Sequence, residues 1–255
     1  MKERPILFSG AMVRALLDGR KTQTRRVLKQ AIGPSLSVDC DDHGVAELSW
    51  LYGDGPGHDV HERVKRVPCP YGAPRDRLWV RESFWGCDAP GYGDQPCVVY
   101  DDEWHGKEYF PSEIRPWARK FGRIPSIHMP RDCSRITLEV TGVRVERLQS
   151  ISHEDAIAEG AVYTDFGIEP PHGSISVDGG RTFHPVLRGT QRNGWHMGDA
   201  TTHTRCMGTA RYAFANLINR LHGGENWNLK GPGLWEANPW VWVIDFKRAT
   251  QPLGD

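Results

Sequence analysis

Apolar positions fall in short patterned bursts separated by polar, turn-rich stretches. An Ile-Leu-Phe run within residues 5–9 predicts a short strand. Ser9 then stands where a helix cap belongs, and Met12, Val13, Leu16 and Leu17 mark the apolar face of a helix that Gly19 ends. Residues 78–84 alternate as a strand does: Leu78, Val80, Glu82 and Phe84 share one face, Trp79, Arg81 and Ser83 the other. Ile136, Leu138 and Val140 alternate with Thr137, Glu139 and Thr141, and Gly142 predicts a bulge before Val143 and Val145. Ser152-His153-Glu154-Asp155 has the form of a capping box, opening a short helix closed by Gly160. Phe214, Leu217, Ile218 and Leu221 recur at helical spacing until Gly223-Gly224. Residues 240–246 are apolar on both faces and read as a buried strand.

Three intervening stretches read as long loops or insertions: 31–67, 85–122 and 161–210. The first is rich in Gly, Asp and His, the second aromatic without a period, the third poor in aliphatic residues. None could bury a core of its own, so the chain reads as one domain over 1–255. Several strands, few short helices and a last strand buried on both sides predict a mixed α+β fold, a small β-barrel with insertions decorating one end.

Composition narrows this picture. Lys+Arg and Asp+Glu each total 32, which excludes a surface built throughout for polyanions but leaves room for a local basic site. The 28 glycines and 18 prolines predict many turns and argue against a helical bundle. No stretch approaches the apolar length of a membrane span, and Met1-Lys2-Glu3-Arg4-Pro5 leads into a strand without the features of a signal peptide. The cysteines (Cys40, Cys69, Cys87, Cys97, Cys133 and Cys206) are scattered, as in a reduced, cytoplasmic protein.

The densest chemical signal is Arg20, Lys21, Arg25, Arg26 and Lys29, with no acid among them. Lys21 and Thr24 are close enough for an amine to activate a hydroxyl, provided burial or neighbouring cations lower the lysine's pKa. A solvated basic turn is the plain alternative. Glu82 lies on the inward face of its strand and needs a partner such as Arg25, Arg26 or Lys21, as a structural salt bridge or a substrate anchor. Ser126, His128 and Arg131 sit near a chain reversal, where they could hold a phosphate or a base edge. Trp79, Trp85, Trp104 and Trp117 could stack on a base or simply pack. Cys40, His43, His58 and His61 have a spacing that a zinc loop can use, but His-x-x-His is an uncommon half-site, and no cofactor is expected. There is no glycine-rich phosphate loop, serine-hydrolase elbow or His-Glu-x-x-His helix.

The string from Ile6-Leu7-Phe8-Ser9 through Gly19-Arg20-Lys21-Thr22-Gln23-Thr24-Arg25-Arg26 resembles the opening of the ASCH domain, a relative of PUA-type RNA-binding barrels. Arg77-Leu78-Trp79-Val80-Arg81-Glu82, Ile127-His128-Met129-Pro130-Arg131 and Asn238-Pro239-Trp240-Val241-Trp242-Val243-Ile244 extend the likeness to the larger ASCH proteins of phages and prophages. The resemblance implies a PUA-like β-barrel with flanking short helices and long loop insertions. One ASCH branch removes the acetyl group from N-acetylated cytidine with a Lys, a Thr and a Glu. Its Lys-Thr-x-Thr segment matches Lys21 and Thr24, and its Glu matches Glu159 by position. Glu159 also ends a short helix, where the helix dipole raises a carboxyl's proton affinity.

The expected activity is therefore hydrolysis of an acylated exocyclic amine on a nucleoside or nucleobase. Lys21, Thr24 and Glu159 would be catalytic, with Arg25, Arg26, Glu82, Ser126, His128 and Arg131 on the substrate. The expected partner is a nucleoside or nucleic acid, with no membrane. A non-catalytic RNA- or DNA-binding module, or a nuclease using the same basic cleft, are the alternatives. The three insertions, with Tyr92, Tyr100, Trp104, Tyr109 and Trp195, are expected to cover the Lys21–Thr24 turn.

Overall fold

The computed structural model describes residues 1–31, 36–52, 61–88, 96–100, 122–171, 173–176, 178–185, 188–222 and 233–249. Its centre is a five-stranded sheet built from β1 (Glu3–Leu7), β2 (Gln23–Val27), β6 (Arg77–Arg81), β10 (Thr137–Arg147) and β15 (Trp240–Arg248), in the order β1-β6-β10-β15-β2. β1 runs parallel to β6, and the other pairs are antiparallel. The fold is mixed α+β, dominated by strands with few helices. The described strands do not close into a barrel: β1 and β2 remain the two edges of the sheet. Those edges nonetheless approach each other, because Arg26 on β2 donates to the Leu7 carbonyl of β1 at 2.6 Å.

β15 shows why the sheet is central. Trp242, Ile244 and Phe246 point into one apolar cluster, with Ile6, Leu78, Val80, Leu138 and Val140 from the neighbouring strands. Val241 and Val243 point into the other, against helices. Two buried faces explain its run of apolar residues without alternation. Each of these side chains contributes about 1.5–3 kcal/mol by leaving water.

Helix α1 (Gly10–Leu17) packs Val13 and Leu16 on the first cluster. Ser9 occupies its N-cap position, but no side-chain cap bond forms. Helices α2 (His153–Ala158) and α3 (Ala210–His222) cover the second cluster with Ala156, Phe214, Leu217 and Ile218. Leu221, in the last turn of α3 and expected on its apolar face, is exposed at 52%. A short α4 (Leu234–Ala237) leads into β15.

The stretches expected to be loose carry much of the remaining sheet structure. Within 31–67, strands β3 (Ser37–Cys40), β4 (Val45–Tyr52) and β5 (His61–Pro68) form an antiparallel meander. Ala46 and Leu48 of β4 and Val67 of β5 enter the first cluster, so this segment leans on the main core rather than building its own. β7 (Phe84–Asp88), β8 (Pro96–Tyr100) and β9 (Gly122–Ile124) form a third sheet over Phe84, Tyr100, Ile124, Met129 and Cys133. The single strand expected over 78–84 is thus two strands, broken at Glu82-Ser83. In the last stretch β11 (Val162–Glu169) pairs with β14 (Thr190–His196), and β12 (Ser174–Ile175) with β13 (His184–Pro185). Tyr92, Trp104, Tyr109 and Trp117 lie outside the described residues. Among the described residues, no helix is long and apolar enough to cross a membrane.

Candidate active site

The turn between α1 and β2 is pinned from three sides. Lys21 N donates to the Ala15 carbonyl at 3.0 Å, Thr22 N to the Ala158 carbonyl at 2.8 Å, and Phe246 N to the Thr22 carbonyl at 2.9 Å. These bonds tie α1, the end of α2 and β15 together around one lysine. On the facing side Ser152 caps α2 through a complete capping box with Asp155, and Glu159 is the C-cap. Gly160 then turns the chain at φ +111°, a conformation that L side chains rarely adopt. A Cβ at Gly160 would lie 3.2 Å from Ala15 Cβ and 3.7 Å from Lys21 Cβ. Only a glycine lets the helix end come this close to the turn.

The result is a buried ion pair. Lys21 Nζ lies 2.6 Å from Glu159 Oε2, with side-chain exposures of 0% and 2%. The same ammonium donates to the carbonyls of Gln23 at 2.7 Å and Glu159 at 2.8 Å, so its three N–H groups have three acceptors. Burial pushes the Lys21 pKa down; Glu159 opposes this, while Arg26 and Arg25 add to it. Glu159 Oε1 is different. It is buried, accepts no hydrogen bond among the described residues, and has Arg25 Nη1 only 3.8 Å away.

Beside this pair lies a dense charged network. Arg25 donates to Gln23 Oε1, to Asp155 at 2.9 Å and to Glu146 at 3.2 Å. Gln23 Nε2 bridges Asp155 at 3.1 Å and Asp245 at 2.8 Å. Arg144 closes the ring onto Glu146 at 2.6 Å, Asp245 at 2.5 Å and Asp155 at 3.4 Å. Burial raises the Asp155 pKa, but Gln23 and Arg25 outweigh it and the net shift is downward. Gly142, at the bulge, leaves room for this arrangement, since a Cβ there would meet Asp245 Oδ2 at 3.3 Å.

The residues named from sequence separate into two groups. Lys21 and Glu159 come together, and Thr24, three residues after Lys21, is buried on β2 opposite Ile244. Strand alternation turns Thr24 and Arg26 away from Gln23 and Arg25. The Arg26 guanidinium and the Lys21 ammonium each lie 5.4 Å from the Phe8 ring centroid, so Phe8 links Lys21 to that second face.

The expected substrate-holding residues are largely committed elsewhere. Arg25 is surrounded by carboxylates and has no charge to spare for an oxyanion or phosphate. Glu82 takes none of its three expected partners: Arg135 grips it with two bonds, Nε at 2.9 Å and Nη2 at 2.8 Å. Arg131 pairs with Glu3 at 2.9 Å and donates to Thr137 Oγ1 at 3.3 Å. Ser126 and His128 form a 3₁₀ turn, with His128 exposed. Among the aromatic residues, Tyr100 is fully buried, its hydroxyl donating to the Cys133 carbonyl at 2.6 Å, while Trp195 packs against His153 and Tyr163. The zinc spacing does not converge. Cys40 pairs with Ala46 at one end of β4 and His61 with Tyr52 at the other, about 20 Å apart at the usual strand rise. His58 lies outside the described residues. Among the described residues, no three His, Cys, Asp or Glu side chains are grouped to hold a metal.

Gln23, Asp155, Glu146, Arg144 and Asp245 were not singled out as site residues. One of them had a visible signal: Asp245 is the only charged residue within 240–246. A lone acid in an apolar strand requires a polar partner. Compared with known proteins, the chain matches no family model, no curated protein and no solved structure.

Proposed function

We propose that the protein is a hydrolase acting on a modified nucleoside or nucleobase, cleaving an amide at an acylated exocyclic amine. The observation that carries this reading is the buried Lys21–Glu159 pair, whose second carboxylate oxygen has no hydrogen-bond donor among the described residues. A purely structural ion pair gains from satisfying all its lone pairs, and leaving one buried acceptor empty costs about 1–3 kcal/mol. An incoming amide nitrogen would supply the missing donor. The likeness of Lys21-Thr22-Gln23-Thr24 to the ASCH amidohydrolases points the same way. In that reading the curled sheet, with Arg26 bridging its two edges, is a PUA-like frame.

The chemistry balances within three residues. For the reaction, the proton shared by Lys21 and Glu159 passes to the carboxylate, leaving a neutral Lys21 amine, the form towards which burial pushes that lysine. The Lys21 amine takes the Thr24 hydroxyl proton as Thr24 Oγ1 attacks the acyl carbon. The tetrahedral intermediate collapses as Glu159 protonates the departing exocyclic amine, which restores the ion pair and leaves an acyl ester on Thr24. Water then hydrolyses that ester with the same two groups moving its protons. Arg25 positions Glu159 rather than binding substrate.

A phosphate-gripping module is less well supported, because Arg20 pairs with Asp18 and Arg25 with acids. Incubation with acylated and unmodified nucleosides and short RNAs, read by mass spectrometry, tests the proposal. Loss of an acyl group from an N-acylated nucleoside, abolished in Thr24→Val, is the expected result. Oligonucleotide binding without any product, or strand cleavage, would overturn it.

A further inference from the structure

Two cysteines stand opposite each other in the third sheet. β7 and β8 pair antiparallel, without a register shift, through Phe84 and Tyr100, Trp85 and Val99, Gly86 and Val98, Cys87 and Cys97, and Asp88 and Pro96. Alternation puts Phe84 and Tyr100 on one face, where both are fully buried in the cluster with Ile124, Met129 and Cys133. It puts Trp85 and Cys87 of β7, with Val99 and Cys97 of β8, on the other face. Trp85 and Val99 are only half-buried there.

Directly opposed residues of an antiparallel pair have Cα atoms about 4.5–5.5 Å apart. A disulfide spans Cα separations of about 4.4–6.8 Å. The register therefore brings positions 87 and 97 within crosslinking reach without movement of the backbone. A slip of one residue would set Cys87 against Pro96 or Val98 and remove the match. The sheet also gains from a tie. Among the described residues its cluster holds fewer buried side chains than either main cluster, and β8 is an edge strand, paired on one side only. Small cores gain most from a covalent staple.

The other cysteines are placed for inertness. Burial pushes the thiols of Cys40, Cys69 and Cys133 up to about 11, which keeps them protonated and slow to exchange. Cys206 is shifted in the same direction, and all four are free.

We propose that Cys87 and Cys97 are a redox-sensitive dithiol that closes into a reversible disulfide across β7 and β8. The oxidant is a small-molecule disulfide, glutathione disulfide in the test below. One cysteine thiolate attacks a sulfur of the oxidant, releasing one small thiolate and leaving a mixed disulfide. The opposing cysteine thiolate then displaces the second small thiolate and forms the bond between Cys87 and Cys97. The protein loses two electrons and two protons, and the small disulfide becomes two thiols. The pair makes no use of Lys21, Thr24 or Glu159 and stands whether or not the hydrolase reading does.

The full chain, equilibrated in glutathione redox buffers with its free thiols then blocked, is cut on the amino side of its aspartates and weighed by mass spectrometry. Cleavage before Asp76, Asp88, Asp94 and Asp101 leaves Cys87 in fragment 76–87 and Cys97 in fragment 94–100. The two fragments should appear joined as one mass that a reductant separates. The equilibrium constant for closure should be at least about tenfold larger in the native protein than in urea, since the paired strands hold the thiols together. Native Cys87→Ser, with its fold checked by circular dichroism, should stop at a mixed disulfide between glutathione and Cys97. Absence of the joined mass, a link from Cys87 or Cys97 to any other cysteine, or a native closure constant less than about tenfold above that in urea would each overturn the proposal.

Discussion

Lys21 and Glu159 are 138 positions apart in the chain, yet the lysine spends two of its three hydrogen bonds on that one residue, its carbonyl and its carboxylate. The pair is at once a candidate reacting group and a structural tie between α2 and the turn before β2. A cleft lysine in contact with water could be removed at little cost to folding. This one cannot, because its loss strands a buried carboxylate.

Lys21→Met should therefore destabilise the protein by about 3–5 kcal/mol, the usual cost of removing one partner of a buried ion pair. The double variant Lys21→Met/Glu159→Leu should be more stable than Lys21→Met alone, since no unpaired charge remains. Urea unfolding of the wild type, both single variants and the double variant measures this. A double variant less stable than Lys21→Met would contradict the account.

Gly160→Ala should cost about 1–3 kcal/mol through its forced backbone conformation. It should also lower turnover more than an equally destabilising core change such as Ile218→Val, because the new methyl group pushes against Ala15 and Lys21. Parallel thermal and kinetic measurements on the two variants separate these effects.

Glu82→Gln should lower stability while leaving the proposed deacylation by the folded protein unchanged. The buried Arg135 guanidinium loses a charged acceptor, and nothing in that contact reaches Lys21 or Glu159. A rise in KM without a loss of stability would return Glu82 to the substrate.

His196 gives a pH dependence of known sign. Its Nδ1 accepts from two backbone N–H groups, Gly198 at 3.0 Å and Ala200 at 3.3 Å, so that nitrogen is bare and Nε2 carries the proton towards Thr164 Oγ1. Burial pushes its pKa down, with Asp199 opposing and Arg20 assisting. The unfolded chain then binds a proton more readily than the folded one. The stability contribution is complete above the ordinary value of 6.5 and is lost as pH falls from there through the lower folded value. His196→Asn, which keeps an acceptor that cannot titrate in this range, should lose less of its thermal midpoint than the wild type between about pH 7.5 and about pH 5.

The sequence by itself determined the elements whose signals are local. The helix with Met12 and Leu16, the capping box at Ser152, the bulge at Gly142 and the doubly buried strand at Trp240 all depend on neighbours within a few residues, and all are present. Lys21, Thr24 and Glu159 were legible as candidates because their residue types and positions resemble a family pattern. What the alternation of Ala46, Leu48 and Trp50 offered against a polar background was too short to register as a strand, since its burial comes from the main core rather than from its own segment. Only the tertiary structure decided the partners. Glu82 could have met any of several cations, and Arg135 holds it because β6 and β10 are paired there. Arg25, which sequence alone left free to bind a ligand, is neutralised by Glu146 and Asp155, more than a hundred residues away in the chain. A side chain's charge is fixed by its type, but the use made of that charge depends on which distant residues share its low-dielectric surroundings.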